Sequence, residues 1–155
     1  QAFGTGTHET TRLVMREIER IASAGAVLDV GCGSGILGIA ALLVGAARVV
    51  AIDVDPIAVR TARENAAVND VAIEASDTPL AEVEGAFDLV VANIRAPILI
   101  PMADALAARA EGWLVLSGLL VEEEDEVRRT FDATMVLEAR HVDGIWLALT
   151  YGKGT

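Results

Sequence analysis

Short apolar runs alternate along the chain with stretches of helical periodicity. The segments "AVLDV" (26–30), "RVVAID" (48–53), "FDLVVAN" (87–93) and "WLVLSG" (113–118) are mostly apolar on both faces, which is typical of buried strands. The segment "VAIEA" (71–75) predicts a further strand, the third along the chain. Buried strands that alternate with helices predict a parallel sheet with helices on both faces.

The stretches between these runs predict helices. Apolar residues three and four positions apart predict an amphipathic helix over 8–23, and the apolar run at 36–46 predicts a second helix. Asp55 is placed to cap a third helix, which begins at Pro56 and extends to about Ala67. These helices supply the crossovers that parallel strands require.

The end of the chain departs from this alternation. Two strand-like runs, "TMVLEARHV" and "IWLALTY", are separated by Asp143-Gly144, a dipeptide that favours a tight hairpin turn. The last two strands are therefore predicted to be antiparallel neighbours. The acidic run 122–125 is predicted to begin a helix, where negative charge is favourable.

Composition narrows the class of protein. The 155 residues suffice for one domain, 53% of them are hydrophobic, and no apolar run is long enough for a membrane helix. The net charge of −11 argues against direct nucleic-acid binding, which needs Lys and Arg to displace counterions from phosphates. A single cysteine, Cys32, and no visible signal peptide lead us to expect a cytoplasmic protein.

A glycine-rich loop follows the first predicted strand. Gly31, Gly33 and Gly35 lie where a doubly wound sheet binds ligands, but the glycine that a dinucleotide fingerprint requires is replaced by Ile36. Asp29, two residues before the loop, would repel a pyrophosphate and would suit a ligand with an amino group and a positive sulfur. This pattern disfavours a nicotinamide-dependent oxidoreductase.

Asp53 closes the second predicted strand, 22 residues after Gly31. An acidic residue at about this distance binds the hydroxyls of a ribose. S-adenosylmethionine combines a ribose with a cationic sulfonium and has no phosphate. The two acidic residues therefore point to this cofactor.

These motifs and the final hairpin resemble the class I S-adenosylmethionine-dependent methyltransferases, and more narrowly the catalytic domain of the ribosomal protein L11 methyltransferase family. The resemblance covers nearly the whole chain, and "FGTGTH" followed by "TT" is its most specific element. The segments that carry it are "AFGTGTHETTRL", "LDVGCGSGILGIAAL", "AIDVDPIAVRTARENAAVN", "DLVVANI" and "LVLSGLL".

The resemblance implies a Rossmann-like α/β fold, with a seven-stranded, mostly parallel sheet in the order 3-2-1-4-5-7-6. It also implies that residues 1–155 form a methyltransferase catalytic domain and that a separate substrate-recognition domain precedes it in the family. The sequence begins without a methionine, and we expect it to be a catalytic domain without that preceding domain.

The resemblance further assigns candidate site residues. Thr11, Gly31, Asp53 and Asn93 match cofactor-contacting positions of the family. The cofactor-binding residues expected are Phe3, Thr11, Asp29, Gly31, Gly33, Asp53, Asp77 and Asn93, with Thr5 beside Phe3. Asp77 is placed near the adenine, although a role in a loop or helix cap is equally open.

Asn93, at the tip of the fourth strand, is the candidate catalytic residue, because its carboxamide can accept a hydrogen bond from an amine and orient the lone pair. His8 is the only candidate base that titrates near pH 7, and hydrogen bonding to the loop is an equal alternative. His141 is expected to be structural, and Cys32 is not expected to act as a nucleophile. With two histidines and one cysteine, no zinc site is expected.

The resemblance implies methylation of protein amino groups, with ribosomal protein L11 as the expected substrate. No membrane partner is expected. Two alternatives stay open: a lysine methyltransferase for another protein, and a domain that binds the cofactor but is catalytically silent.

Arg95 departs from the apolar or aromatic residue that is usual at this position in the family. Arg95 either faces the acceptor, points to solvent or pairs with a nearby carboxylate.

Overall fold

A computed structural model describes residues 7–21 and 25–153, with side chains described from residue 12 onward. The strands are β1 (Ala26–Val30), β2 (Arg48–Ile52), β3 (Glu74–Ser76), β4 (Phe87–Asn93), β5 (Ala110–Leu120), β6 (Val136–Asp143) and β7 (Trp146–Gly152). The α-helices are α1 (Thr7–Ile21), α2 (Ile36–Leu43), α3 (Pro56–Val68), α4 (Ala96–Leu99), α5 (Ala103–Arg109) and α6 (Glu124–Phe131). Short 3₁₀ turns lie at Leu80–Glu82, Ile100–Met102 and Val121–Glu123.

The seven strands form one sheet in the order β3-β2-β1-β4-β5-β7-β6. The first five strands are parallel, and β7 pairs antiparallel with both β5 and β6. This confirms the predicted fold class, strand order and final hairpin. The carboxyl ends of β1, β2, β4 and β5 therefore meet at one edge of the sheet.

Each face of the sheet buries its own hydrophobic core. Val27, Val91 and Val115 pack with α1 and α2 on one face. Leu28 and Val90 lie on the other face, with residues of α5 and α6. This two-sided burial explains why the central strands are apolar at successive positions.

The third strand is shorter than predicted and lies further along the chain. The prediction of 71–75 was wrong at its beginning, because β3 includes only Glu74–Ser76. The amide of Val71 still donates to the Ala66 carbonyl at the end of α3, at 3.0 Å. Asp70 has a φ of 58°, so the chain is still turning out of the helix where the pattern predicted a strand.

Local capping and turn chemistry agree with the sequence. The Ile57 amide donates to Oδ1 of Asp55 at 2.9 Å, as expected for the N-cap of α3. Asp143 pairs with Trp146, so the hairpin loop has two residues, and Gly144 is the first of them. Its φ of 63° has the sign that a type II′ turn requires there.

A buried carboxylate ties α1 to the antiparallel hairpin. Glu17 is 1% exposed and accepts hydrogen bonds from Arg20, at 2.9 and 3.0 Å, and from the hydroxyl of Thr150. Nε2 of His141 lies 3.2 Å from the same carboxylate. Burial alone would raise the pKa of Glu17, but these partners lower it to about 2.

No helix in the described part of the chain is long and apolar enough to span a membrane.

Candidate functional site

The glycine-rich loop at the carboxyl end of β1 is joined to the end of β2. Asp53 follows β2, and its Oδ2 accepts a hydrogen bond from the Gly33 amide at 2.9 Å. Its Oδ1 accepts from the Asp55 amide, also at 2.9 Å. Each carboxylate oxygen has a further lone pair, so Asp53 is held in place while it can still accept hydrogen bonds from a ligand.

Asp29 is a buried carboxyl group that lacks a well-formed hydrogen bond among the described residues. It is 1% exposed, and neither of its side-chain oxygens makes a hydrogen bond within the described residues. Burial raises the pKa of Asp29 to about 7. The Gly38 amide, which approaches the carboxyl without reaching good hydrogen-bond geometry, lowers it in part, and the charge of the nearby Asp53 adds to the rise. A buried carboxyl without a well-formed hydrogen bond is costly, and a cationic ligand group above β1 would relieve that cost.

An apolar cavity of about 220 Å³ lies beside the Asp53 carboxylate. Ile52, Ile98 and Met102 contribute apolar wall, and Thr78 lies at the same wall. Such a cavity beside a carboxylate suits a flat heterocycle attached to a sugar.

Asn93 lies at the tip of β4, next to the glycine-rich loop. A Cβ placed on Gly31 would lie 3.1 Å from Cγ1 of Ile94, so the residue after Asn93 packs directly against the loop. Oδ1 of Asn93 accepts a hydrogen bond from the Ser117 hydroxyl at 2.8 Å. The structure thus brings together Asp29, Gly31, Asp53 and Asn93 at one edge of the sheet.

Arg95 forms an ion pair with Glu123, which lies in the 3₁₀ turn after β5. Its Nη2 donates to Oε2 of Glu123 at 2.9 Å, and Oε1 of Glu123 accepts from the Leu120 amide at 2.8 Å. Of the placements predicted for Arg95, the structure shows the pairing with a nearby carboxylate.

The remaining candidates have different surroundings. Asp77 lines a separate depression with Arg60 and Arg63. The residue that lines the apolar cavity is its neighbour Thr78. The proximity of Asp77 to an adenine therefore stays a prediction.

Burial raises the pKa of Cys32 to about 12, with contributions from the charges of Asp29 and Asp53, so the thiol is not activated as a nucleophile.

Some predicted residues lie outside the described part of the chain. Phe3 and Thr5 are among them. The backbones of His8 and Thr11 belong to α1, but their side chains are also outside it, so their roles stay predictions. Within the described residues, no group of three or more His, Cys, Asp or Glu side chains is arranged to hold a metal ion.

Sequence reasoning missed two contributors to the site. Ser117 is the only polar side chain within the run "WLVLSG", and that isolated position was the available indication. The wall formed by Ile98 and Met102 comes from α4 and the 3₁₀ turn after it, a segment whose packing has no local pattern in the sequence.

Comparison with known proteins agrees with this geometry. The sequence model of the family described as "Ribosomal protein L11 methyltransferase (PrmA)" matches residues 1–154. The chain belongs to the ribosomal protein L11 methyltransferase family. The solved structure of a ribosomal protein L11 methylase from Lactobacillus delbrueckii subsp. bulgaricus superimposes with a TM-score of 0.92 at 35% identity, over 97% of this chain and 81% of that chain.

Curated members of the ribosomal protein L11 methyltransferase family are similar along the chain. The protein of that name from Geobacter metallireducens is 50% identical over 156 residues, which cover 99% of this chain and 52% of the relative. The one from Streptococcus pyogenes is 42% identical, over 98% of this chain and 50% of the relative. The chain spans about half the length of the curated relatives it matches.

Proposed function

We propose that this chain binds S-adenosylmethionine and transfers its methyl group to amino groups of ribosomal protein L11. Membership of the family and the names of its curated members support the substrate class. The observation that carries the proposal is the placement of Asn93 beside the glycine-rich loop, through the contact of Ile94 with Gly31.

The residues present fit the cofactor. When bound, S-adenosylmethionine supplies a methyl group on a positively charged sulfur, from which an amine can displace it. Asp53 would hold the ribose hydroxyls, and the apolar cavity would take the adenine. Asp29 lacks a well-formed hydrogen bond in the described structure and would become ionised opposite the cationic methionine end.

Asn93 would act on the methyl acceptor. Its oxygen can accept a hydrogen bond from one N–H of a neutral amine, which turns the nitrogen lone pair towards the cofactor side of the site. Methyl transfer is an in-line displacement, so this orientation supplies much of the rate. The amine must have lost its extra proton before it attacks, since an ammonium has no lone pair.

The length of the relatives bears on substrate docking. We propose that residues 1–155 act as the catalytic domain and that recognition of L11 depends on a further domain, because the relatives are about twice as long. A cytoplasmic location, expected from the sequence, stays a prediction.

Mass spectrometry after incubation with isotopically labelled S-adenosylmethionine tests the proposal. This chain and the full-length Geobacter metallireducens relative are each incubated with purified ribosomal protein L11. We expect labelled methyl groups on L11 amino groups with both proteins, and slower labelling with this chain. Absence of label with this chain at high protein concentration, while the relative labels L11, would contradict the proposed activity. Equal rates would contradict the need for a separate recognition domain.

A further inference from the structure

Ser117 lies opposite Asn93 in the β4–β5 ladder and is fully buried behind it. The two residues are paired in the parallel register, and the hydroxyl of Ser117 donates to Oδ1 of Asn93 at 2.8 Å. Ser117 is 0% exposed, whereas Asn93 is partly exposed at the tip of its strand. Ser117 therefore contacts Asn93 from the interior and leaves the outer side of the carboxamide open.

The backbone of Ser117 also holds the strand tip. The Ile94 amide donates to the Ser117 carbonyl at 3.1 Å, directly after Asn93. One residue thus holds both the main chain and the side chain at the end of β4.

An irregularity in β5 surrounds this contact. Leu116 pairs with Leu149 and Leu119 pairs with Leu147, so three residue steps along β5 face two along β7. Gly118, within this interval, has a φ of 74°, and a Cβ on it would lie 2.8 Å from Oδ1 of Asn93. Bulges of this kind redirect side chains next to functional sites.

From these contacts we propose that Ser117 is a positioning residue for the acceptor amine, acting through Asn93; this rests on the proposed methyltransferase function. A carboxamide rotates easily about its last torsion, and half a turn exchanges its acceptor oxygen for its donor nitrogen. The Ser117 hydroxyl fixes one lone pair of Oδ1, and the close backbone at Gly118 limits rotation. The second lone pair of Oδ1 is then held ready for an amine N–H.

Single-turnover methyl transfer to L11 is measured with this chain in increasing excess. The measurement separates the rate at saturation from the concentration of the chain that gives half of that rate. We expect Ser117→Ala to lower the rate at saturation about tenfold or more, since small misplacements of a reacting group are costly. The half-saturating concentration and the affinity for S-adenosylhomocysteine should stay within about twofold. Ser117→Thr, which restores a hydroxyl, should recover most of the rate.

Thr150→Val is the matched control. Thr150 is also a fully buried hydroxyl on a neighbouring strand, but it donates to Glu17 instead of Asn93. We expect this variant to lose stability while the saturating rate stays within about twofold of that of the unsubstituted chain. An unchanged rate in Ser117→Ala, or equal rate losses in Ser117→Ala and Thr150→Val, would overturn the positioning role.

The side-chain amide signal of Asn93 in ¹H–¹⁵N NMR spectra separates this proposal from the methyltransferase function. Ser117→Ala should shift and broaden that signal, and Thr150→Val should leave it in place. A signal unaffected by Ser117→Ala overturns the proposal whatever the activity. If the chain transfers no methyl group although the signal responds as expected, the methyltransferase function fails, and only the structural contact between Ser117 and Asn93 is upheld.

Discussion

The Gly33 amide donates a 2.9 Å hydrogen bond to Oδ2 of Asp53, which joins the loop after β1 to the end of β2. The bond fixes the carboxylate at the edge where the parallel strands end. It also means that Asp53 contributes to the shape of the loop, in addition to its proposed role in ligand binding.

Replacement of this carboxylate should weaken cofactor binding. We expect Asp53→Ala to reduce the affinity for S-adenosylhomocysteine by about 1.5 to 3 kcal/mol, the scale of lost charge-assisted hydrogen bonds. Asp55→Ala is the control, because Asp55 is a neighbouring carboxylate that caps α3. It should cost about 1 kcal/mol of stability and leave the affinity within about twofold. Calorimetry that finds equal affinity for Asp53→Ala and the unsubstituted chain would contradict the assigned role.

Ligand binding should release a proton from Asp29. The pKa of this buried carboxyl is raised to about 7, and a cationic group nearby would lower it. At about pH 6.5 we therefore expect proton release when S-adenosylhomocysteine binds, and an affinity that rises with pH through this range. Calorimetry in two buffers of different ionisation enthalpy measures the release. The Asp29→Asn variant has no carboxyl proton to release. Buffer-dependent heats that persist in this variant would therefore exclude Asp29 as the source of the proton.

Much of this arrangement could be predicted from the sequence because the deciding features are local. The glycines after β1, the acidic residue after β2 and the Asn that ends β4 are each read from a short segment. The hairpin follows from a turn dipeptide. Even the bounds of β4, Phe87–Asn93, agree with the predicted strand, since it is buried on both faces.

The rest depends on contacts between distant segments. The hydrogen bond from Ser117 to Asn93 joins residues on two strands, and its existence depends on register. The pairing of Arg95 with Glu123 depends on where the turn after β5 lies. The beginning of β3 was misplaced because an exit from α3 overrides the β-propensity of Val71 and Ile73.

Removal of the buried Glu17 carboxylate should change the acid stability of the fold. Its pKa of about 2 lies below the ordinary value of 4.5, so its contribution is present above pH 4.5 and is lost as pH falls towards 2. We expect about 2 kcal/mol from this source, since the half-exposed Arg20 is partly screened by solvent. Urea unfolding at several pH values should show this loss in the unsubstituted chain. A Glu17→Gln variant with the same pH dependence between 4.5 and 2 would show that Glu17 is not responsible.

The two partners of the Arg95–Glu123 ion pair should differ in their effect on stability. Arg95 is 49% exposed, so Arg95→Leu should cost less than about 1 kcal/mol. Glu123→Ala also removes the acceptor for the Leu120 amide and should cost about 1 to 2 kcal/mol. Denaturant unfolding of both variants measures the difference. A larger cost for Arg95→Leu would be inconsistent with the pairing described.

Isothermal titration calorimetry of the chain with S-adenosylhomocysteine and with NADH tests the central claim most directly. The buried Asp29 carboxyl, the Asp53 carboxylate and the apolar cavity beyond the ends of β1 and β2 favour a nucleoside that carries an ammonium group and no phosphate. We predict saturable binding of S-adenosylhomocysteine and no measurable heat with NADH. Tight binding of NADH, together with no response to S-adenosylhomocysteine, would contradict the assignment of this site to S-adenosylmethionine.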